Sequence, residues 1–193
     1  LAKKDVLAFE QMLPEMVRSA GSLFVLDNIK RKIGISYTQA KKIKEILEHT
    51  LITKHILPFA TQKDEIKKHS KIYFVDTGML RYIAQKFNIN LDGKAEESFV
   101  LSELLKHKPD YFDIKFWQRT NSTEVDFVLF NRINRELIRI EVKAGNTDNI
   151  LRVFDTFYQR YGSRVKRFYV ANANIYKTRQ YRDKEVVFIP HVL

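Results

Sequence analysis

The chain has 193 residues, of which 45% are hydrophobic and 30% charged, a balance that excludes a disordered or low-complexity protein. It contains no cysteine, which excludes disulfides and thiolate chemistry and makes a reducing compartment, the cytoplasm, the expected location. The formal charge of +11, spread over both halves, favours a polyanionic partner, because lysine and arginine release counterions from phosphates; a solvated basic surface is the plain alternative. No apolar stretch approaches the roughly 18 to 20 residues that span a bilayer, and no membrane association is expected. The opening Leu-Ala-Lys-Lys-Asp lacks the apolar core of a signal peptide, and a start at leucine reads as a fragment with sequence missing upstream.

In chain order, Val6, Phe9, Leu13, Met16 and Val17 recur at helical spacing and predict a first helix ending at Gly21. Asp27 is placed to cap a short helix through Lys32, Gly34 breaks it, and Ser36 stands where an N-cap precedes a helix over residues 37–48. That third helix buries Ala40, Ile43, Ile46 and Leu47 and projects Lys41, Lys42 and Lys44 outward. Two strands, over 51–59 and 72–75, flank a lysine-rich connection that includes Lys67 and Lys68. Helix, turn, helix and a two-stranded wing resemble a winged-helix domain, with the third helix as recognition helix. In that resemblance Lys41, Lys42, Lys44, Lys67 and Lys68 are the nucleic-acid-binding candidates, with domain packing the equal alternative. Asp76 caps a fourth helix, and the turn-forming stretch 88–93 is the linker between domains at 1–90 and 91–193.

Beyond the linker, a helix over 94–107 precedes three strands near 112–119, 124–130 and 136–143. A helix over 148–161 and strands at 166–171 and 186–189 follow. The expected class is α/β, more narrowly α+β, with a mixed sheet flanked by helices. Alternation along Glu124-Val125-Asp126-Phe127 sets Glu124 and Asp126 on one face, and along 137–143 it sets Arg139, Glu141 and Lys143 opposite Ile138, Ile140 and Val142.

Carboxylates in apolar strands are costly unless paired, either with a divalent cation or with a neighbouring lysine. Phosphodiester hydrolysis uses such a set: hard oxygen ligands hold Mg²⁺ or Mn²⁺, and an ammonium orients water or stabilises transition-state charge. Asp126 and Glu141 are the ligand candidates and Lys143 the cation, with Glu97, on the helix before, as a further catalytic and metal-ligand candidate. Glu124 and Gln159 are weaker candidates; Phe116 and Trp117 alternate along their strand, which puts one in the core and leaves the other for the core or for a stacking surface. The five histidines show no ligand-like spacing.

The order Glu97, Asp126, Glu141-Val142-Lys143 on helix, strand and strand resembles the PD-(D/E)xK nuclease superfamily, in which these positions bind metal and cleave DNA. The segments KIYFVDTGML, GKAEESFVLSELL, FWQRTNSTEVDFVLF and IRIEVKAG resemble the C-terminal region of prokaryotic AAA-type ATPases, where a winged helix precedes a nuclease-like domain of unassigned function. The resemblance implies a winged helix followed by a restriction-endonuclease-like sheet. It also implies an ATPase domain upstream, a nucleic-acid partner, DNA first, and room for a homo-oligomer. Two functions follow: a metal-dependent DNA nuclease, or an inactive nuclease-fold module that binds nucleic acid or protein and regulates the ATPase. The chain has no G-x-x-x-x-G-K-[ST] loop, and Val125 replaces the superfamily's proline.

Overall fold

A computed structural model describes residues 3–59, 69–120, 123–143 and 151–191. It is a mixed α/β structure with a two-stranded and a six-stranded sheet. The chain divides into two compact units, one formed by Leu1–Ile56 with His69–Ser102 and the other by Leu57–Lys68 with Glu103–Leu193.

The first unit holds α1 (Lys3–Arg18), α2 (Leu26–Ile33), α3 (Tyr37–His49), β1 (Thr53–Ile56), β2 (Lys71–Phe74), α4 (Thr77–Lys86) and the start of α5 (Lys94–His107). Its core gathers Met12, Met16, Val17, Ile29, Ile43, Leu47, Ile72, Phe74 and Leu80. Two of the expected caps form. Ser36 makes a reciprocal capping box with Gln39, and Asp76 accepts the Met79 N–H at 2.9 Å. The third does not: α2 starts at Leu26, so Asp27 falls inside the first turn and Val25 occupies the cap without a side-chain bond. Asp27 pairs with Lys30 instead, at 2.9 Å, which lowers its pKa. Gly34, at φ +69°, closes α2 in the left-handed conformation that a side chain would strain. β1 and β2 pair antiparallel, Thr53 with Phe74 through Ile56 with Lys71. The predicted helix–turn–helix and its two strands are thus present in order. Lys67 and Lys68 lie outside the described residues.

The second unit is built on β3 (Phe112–Thr120), β4 (Thr123–Asn131), β5 (Leu137–Lys143), β6 (Val165–Asn172), β7 (Lys177–Tyr181) and β8 (Lys184–Pro190), with α6 (Leu151–Tyr161) between β5 and β6. The sheet order is β3-β4-β5-β6-β8-β7. β3, β4 and β5 form an antiparallel meander, β5-β6 and β6-β8 are parallel, and β7 pairs antiparallel with β8. A parallel pair needs a crossover, and α6 supplies it. Phe154, Phe157 and Tyr161 of α6 pack with Trp117, Val125, Val128, Leu137, Phe168 and Phe188 in one aromatic-rich core. Phe116 and Trp117 are both buried, so neither is left for a stacking surface. Strand β7 has no counterpart in the sequence reading, because Lys177-Thr-Arg-Gln-Tyr carries too little apolar character to stand out from the turns around it.

One irregularity positions the carboxylates. Lys115 pairs with Val128 but Trp117 pairs with Val125, so Asp126 and Phe127 together stand opposite the single residue Phe116. This bulge breaks the alternation expected along β4: Val125 joins the core under α6 together with Val128, and Phe127 does not.

Candidate functional site

The β4-β5 ladder runs from Phe130↔Leu137 to Phe127↔Ile140. At the next position, Asp126 turns its carboxylate across to β5, where Oδ2 accepts the Val142 N–H at 2.7 Å. The bulge makes this reach available, and the side chain supplies an acceptor at the end of the ladder. Asp126 is only 6% exposed.

Glu141 is 3% exposed, and both of its oxygens are engaged. Arg139 Nη2 donates to Oε2 at 2.9 Å, and Lys143 Nζ lies 2.8 Å from Oε1. Residues two apart on a strand share a face, so Arg139, Glu141 and Lys143 form a row down β5, with the lysine at the open end, 39% exposed. Alternation holds here, but this face is buried as well as the one carrying Ile140 and Val142: the Arg139 guanidinium stacks 4.1 Å from the centre of the Phe154 ring on α6 and 6.0 Å from Phe168. Burial pulls the Arg139 pKa down to about 10, against the opposing pull of Glu141, Asp126 and Tyr181. The guanidinium therefore stays charged at neutral pH. Among the described residues its Nε and Nη1 have no acceptor.

Asp126, Glu141 and Lys143 are thus brought to neighbouring positions on two adjacent strands. Glu97 belongs to the part of α5 that packs in the first unit, where the buried Tyr73 hydroxyl donates to its Oε2 at 3.1 Å. Arg139 was missed as a site residue. The signal was available: an arginine two residues before a glutamate, in a strand otherwise aliphatic, must face the same way as that glutamate. Gln159 is exposed on α6 and Glu124 is half-buried opposite Gln118.

Two carboxylates, a guanidinium and an ammonium sum to zero charge, so the site is balanced by its own side chains. A divalent cation on Glu141 would share that carboxylate with Lys143 and Arg139, whose positive charges oppose it, and Arg139, fully buried, has nowhere else to place its charge. Among the described residues no three His, Asp or Glu side chains are grouped as a metal site requires. As placed, the set offers Mg²⁺ or Mn²⁺ two carboxylates, Asp126 and Glu141, both already engaged by protein donors.

On α3, each recognition-helix candidate is engaged with a carboxylate. Lys41 faces Glu45 and Lys42 faces Asp5, both at 3.8 Å, and Lys44 pairs with Glu48 at 3.1 Å. Lys41, Lys42 and Glu45 are exposed and Asp5 is half-buried, and at 3.8 Å both pairs are weak, so a phosphate would exchange for them at little cost.

The family described as a domain of unknown function (DUF4143) matches residues 92–192, more than half of the chain. The chain belongs to that family. DUF4143 domains occur at the C-termini of prokaryotic AAA-type ATPases. A second domain of unknown function (DUF8612) matches residues 1–90, ahead of the DUF4143 segment. Comparison with curated proteins and with solved structures returns no match. The DUF4143 segment carries Asp126, Arg139, Glu141 and Lys143, and Glu97 as well. Among the described residues no helix is long and apolar enough to cross a membrane.

Proposed function

We propose that this chain is the C-terminal part of an AAA-type ATPase-like protein in which the DUF4143 domain is a nuclease-fold module that holds DNA without cleaving it. The ion pairing of Glu141 with both Arg139 and Lys143 carries this reading. A carboxylate already shared between two cations is a weaker ligand for a third, and a lysine drawn to that carboxylate is less available to orient water. The basic side chains of the second unit support the DNA assignment, since Arg160, Lys166, Arg167 and Arg182 are all exposed.

The rival reading is a Mg²⁺- or Mn²⁺-dependent nuclease using Asp126, Glu141, Lys143 and Glu97. It is favoured by the convergence of Asp126 and Glu141 on the ends of β4 and β5, beside a lysine that solvent reaches. One experiment separates the two. The protein is incubated with supercoiled plasmid, branched DNA and RNA in Mg²⁺ or Mn²⁺, beside Asp126→Ala and Lys143→Ala, and DNA binding is followed against salt. The module binds with a steep salt dependence, and any trace of cleavage is equal in all three proteins. Cleavage present in the parent and lost in both variants would replace the module by the nuclease.

A further inference from the structure

A groove in the first unit has no part in the carboxylate site. It has a volume of about 710 Å³ and runs between α1 and α4, with the end of α2 at one side. Leu7, Leu13, Ile33, Met79, Ile83 and Phe87 make it apolar. Leu7 is 56% and Tyr82 64% exposed, and Val6 and Phe87 are exposed beside them. Large apolar side chains gathered around one trough mark an interaction surface more strongly than the same residues scattered singly. The stretch from Leu7 to Pro14 offers about two helical turns, on the order of 10 Å, along α1.

The charges around the groove say what fits it. Lys4, Lys32 and Lys86 stand on or beside its rim, with the carboxylate of Glu10 in its lining and that of Glu15 against Lys32. Lys32 is held by Glu15 at 2.6 Å, whereas Lys4 and Lys86 face no carboxylate among the described residues. Pro14 adds a further feature, since a proline within α1 leaves the Glu10 carbonyl without its helical N–H donor, and both residues border the groove. The surface therefore offers an apolar trough with a net positive rim, Lys4 and Lys86 against Glu10.

We infer that this groove receives an amphipathic helix of a partner protein, its apolar stripe seated between α1 and α4 and its flanking acidic residues meeting Lys4 and Lys86. Helix-in-groove recognition uses anchors at helical spacing on an apolar floor, and Met79 gives that floor an adaptable side chain. The inference stands whether the carboxylate site is closed or catalytic.

The test uses the whole chain and a fluorescein-labelled amphipathic helix with a leucine stripe flanked by glutamates, read by anisotropy, beside the same peptide with lysines for glutamates. Vesicles of phosphatidylserine and phosphatidylcholine form a third arm. The glutamate peptide is expected to bind at least tenfold more tightly than the lysine peptide. Leu7→Asp and Tyr82→Ala should each weaken it tenfold or more, and Lys86→Glu should weaken it several-fold. These side chains are largely exposed, so the variants keep the parent's melting temperature. Equal binding of both peptides, binding indifferent to Leu7→Asp and Tyr82→Ala, or no peptide binding with sedimentation on the vesicles would each overturn the inference.

Discussion

Arg139 and Glu141 sit two residues apart on one strand, joined at 2.9 Å, and neither side chain is open to water beyond a few per cent. Breaking such a pair from one side leaves the other charge buried and uncompensated, which costs about 3–5 kcal/mol. Arg139→Ala is therefore expected to destabilise the second unit by about that amount. Trp117, the chain's one tryptophan and fully buried in that unit's core, reports the loss by its fluorescence in a urea titration. The double variant Arg139→Met, Glu141→Gln removes both charges and should recover most of the stability. An Arg139→Ala protein as stable as the parent would show that the pair is not what balances Glu141.

His55 gives the first unit a dependence on acid. Burial, followed by the nearby Lys44, holds its pKa down to about 4, below the ordinary imidazole value of 6.5. The folded unit thus keeps His55 neutral while the unfolded chain protonates. Stability from this residue is fully present above pH 6.5, falls as the pH drops, and is lost by about pH 4, a change of at most roughly 3 kcal/mol and less for the part that solvent reaches. Unfolding followed by circular dichroism between pH 7 and 4 should show this slope, and His55→Gln should flatten it. A parent whose stability rises towards pH 4 would contradict the sign.

The helix signals at Gly34 and Ser36 act through backbone chemistry. Ser36→Ala removes the acceptor of the Gln39 N–H, 3.2 Å away, and should cost about 1 kcal/mol. Gly34→Ala meets no atom within 4 Å, so its cost is the left-handed strain alone, again about 1 kcal/mol. Thermal denaturation of the two single variants and their combination checks both magnitudes.

These caps were legible because they depend on neighbours within a few residues, as were α5 and the three strands after it, whose apolar spacing and turns declare them. The bulge at Asp126 was not legible. It arises from pairing with β3, and nothing within Glu124-Val-Asp-Phe-Val reports that Phe116 will face two residues instead of one. The same holds for the site's chemistry. Strand alternation put Arg139, Glu141 and Lys143 on one face, but only the packing of α6, with Phe154 against Arg139, makes that face an interior. Lys177–Tyr181 stayed hidden because an edge strand with few apolar side chains carries little periodic signal.

Gly21 links a turn to Glu97. It holds φ at +70°, and a Cβ there would lie 3.1 Å from Glu97 Oε2, the oxygen that accepts the Tyr73 hydroxyl. Gly21→Ala should cost about 1–2 kcal/mol from backbone strain and the displaced carboxylate. Glu97→Gln in the same background should leave the strain in place, so a double-mutant cycle measured by urea unfolding separates the two parts.

The meander of β3, β4 and β5 joins strands that are neighbours in the chain, whereas β6 reaches β5 only after α6 has crossed over. Hairpins form from short loops and precede such a closure. In a chain leaving the ribosome, Arg139 and Glu141 can meet while still hydrated, and they surrender that water together when Phe154 arrives. The penalty of drying two opposite charges then falls on the docking of α6, whose Phe154 covers Arg139.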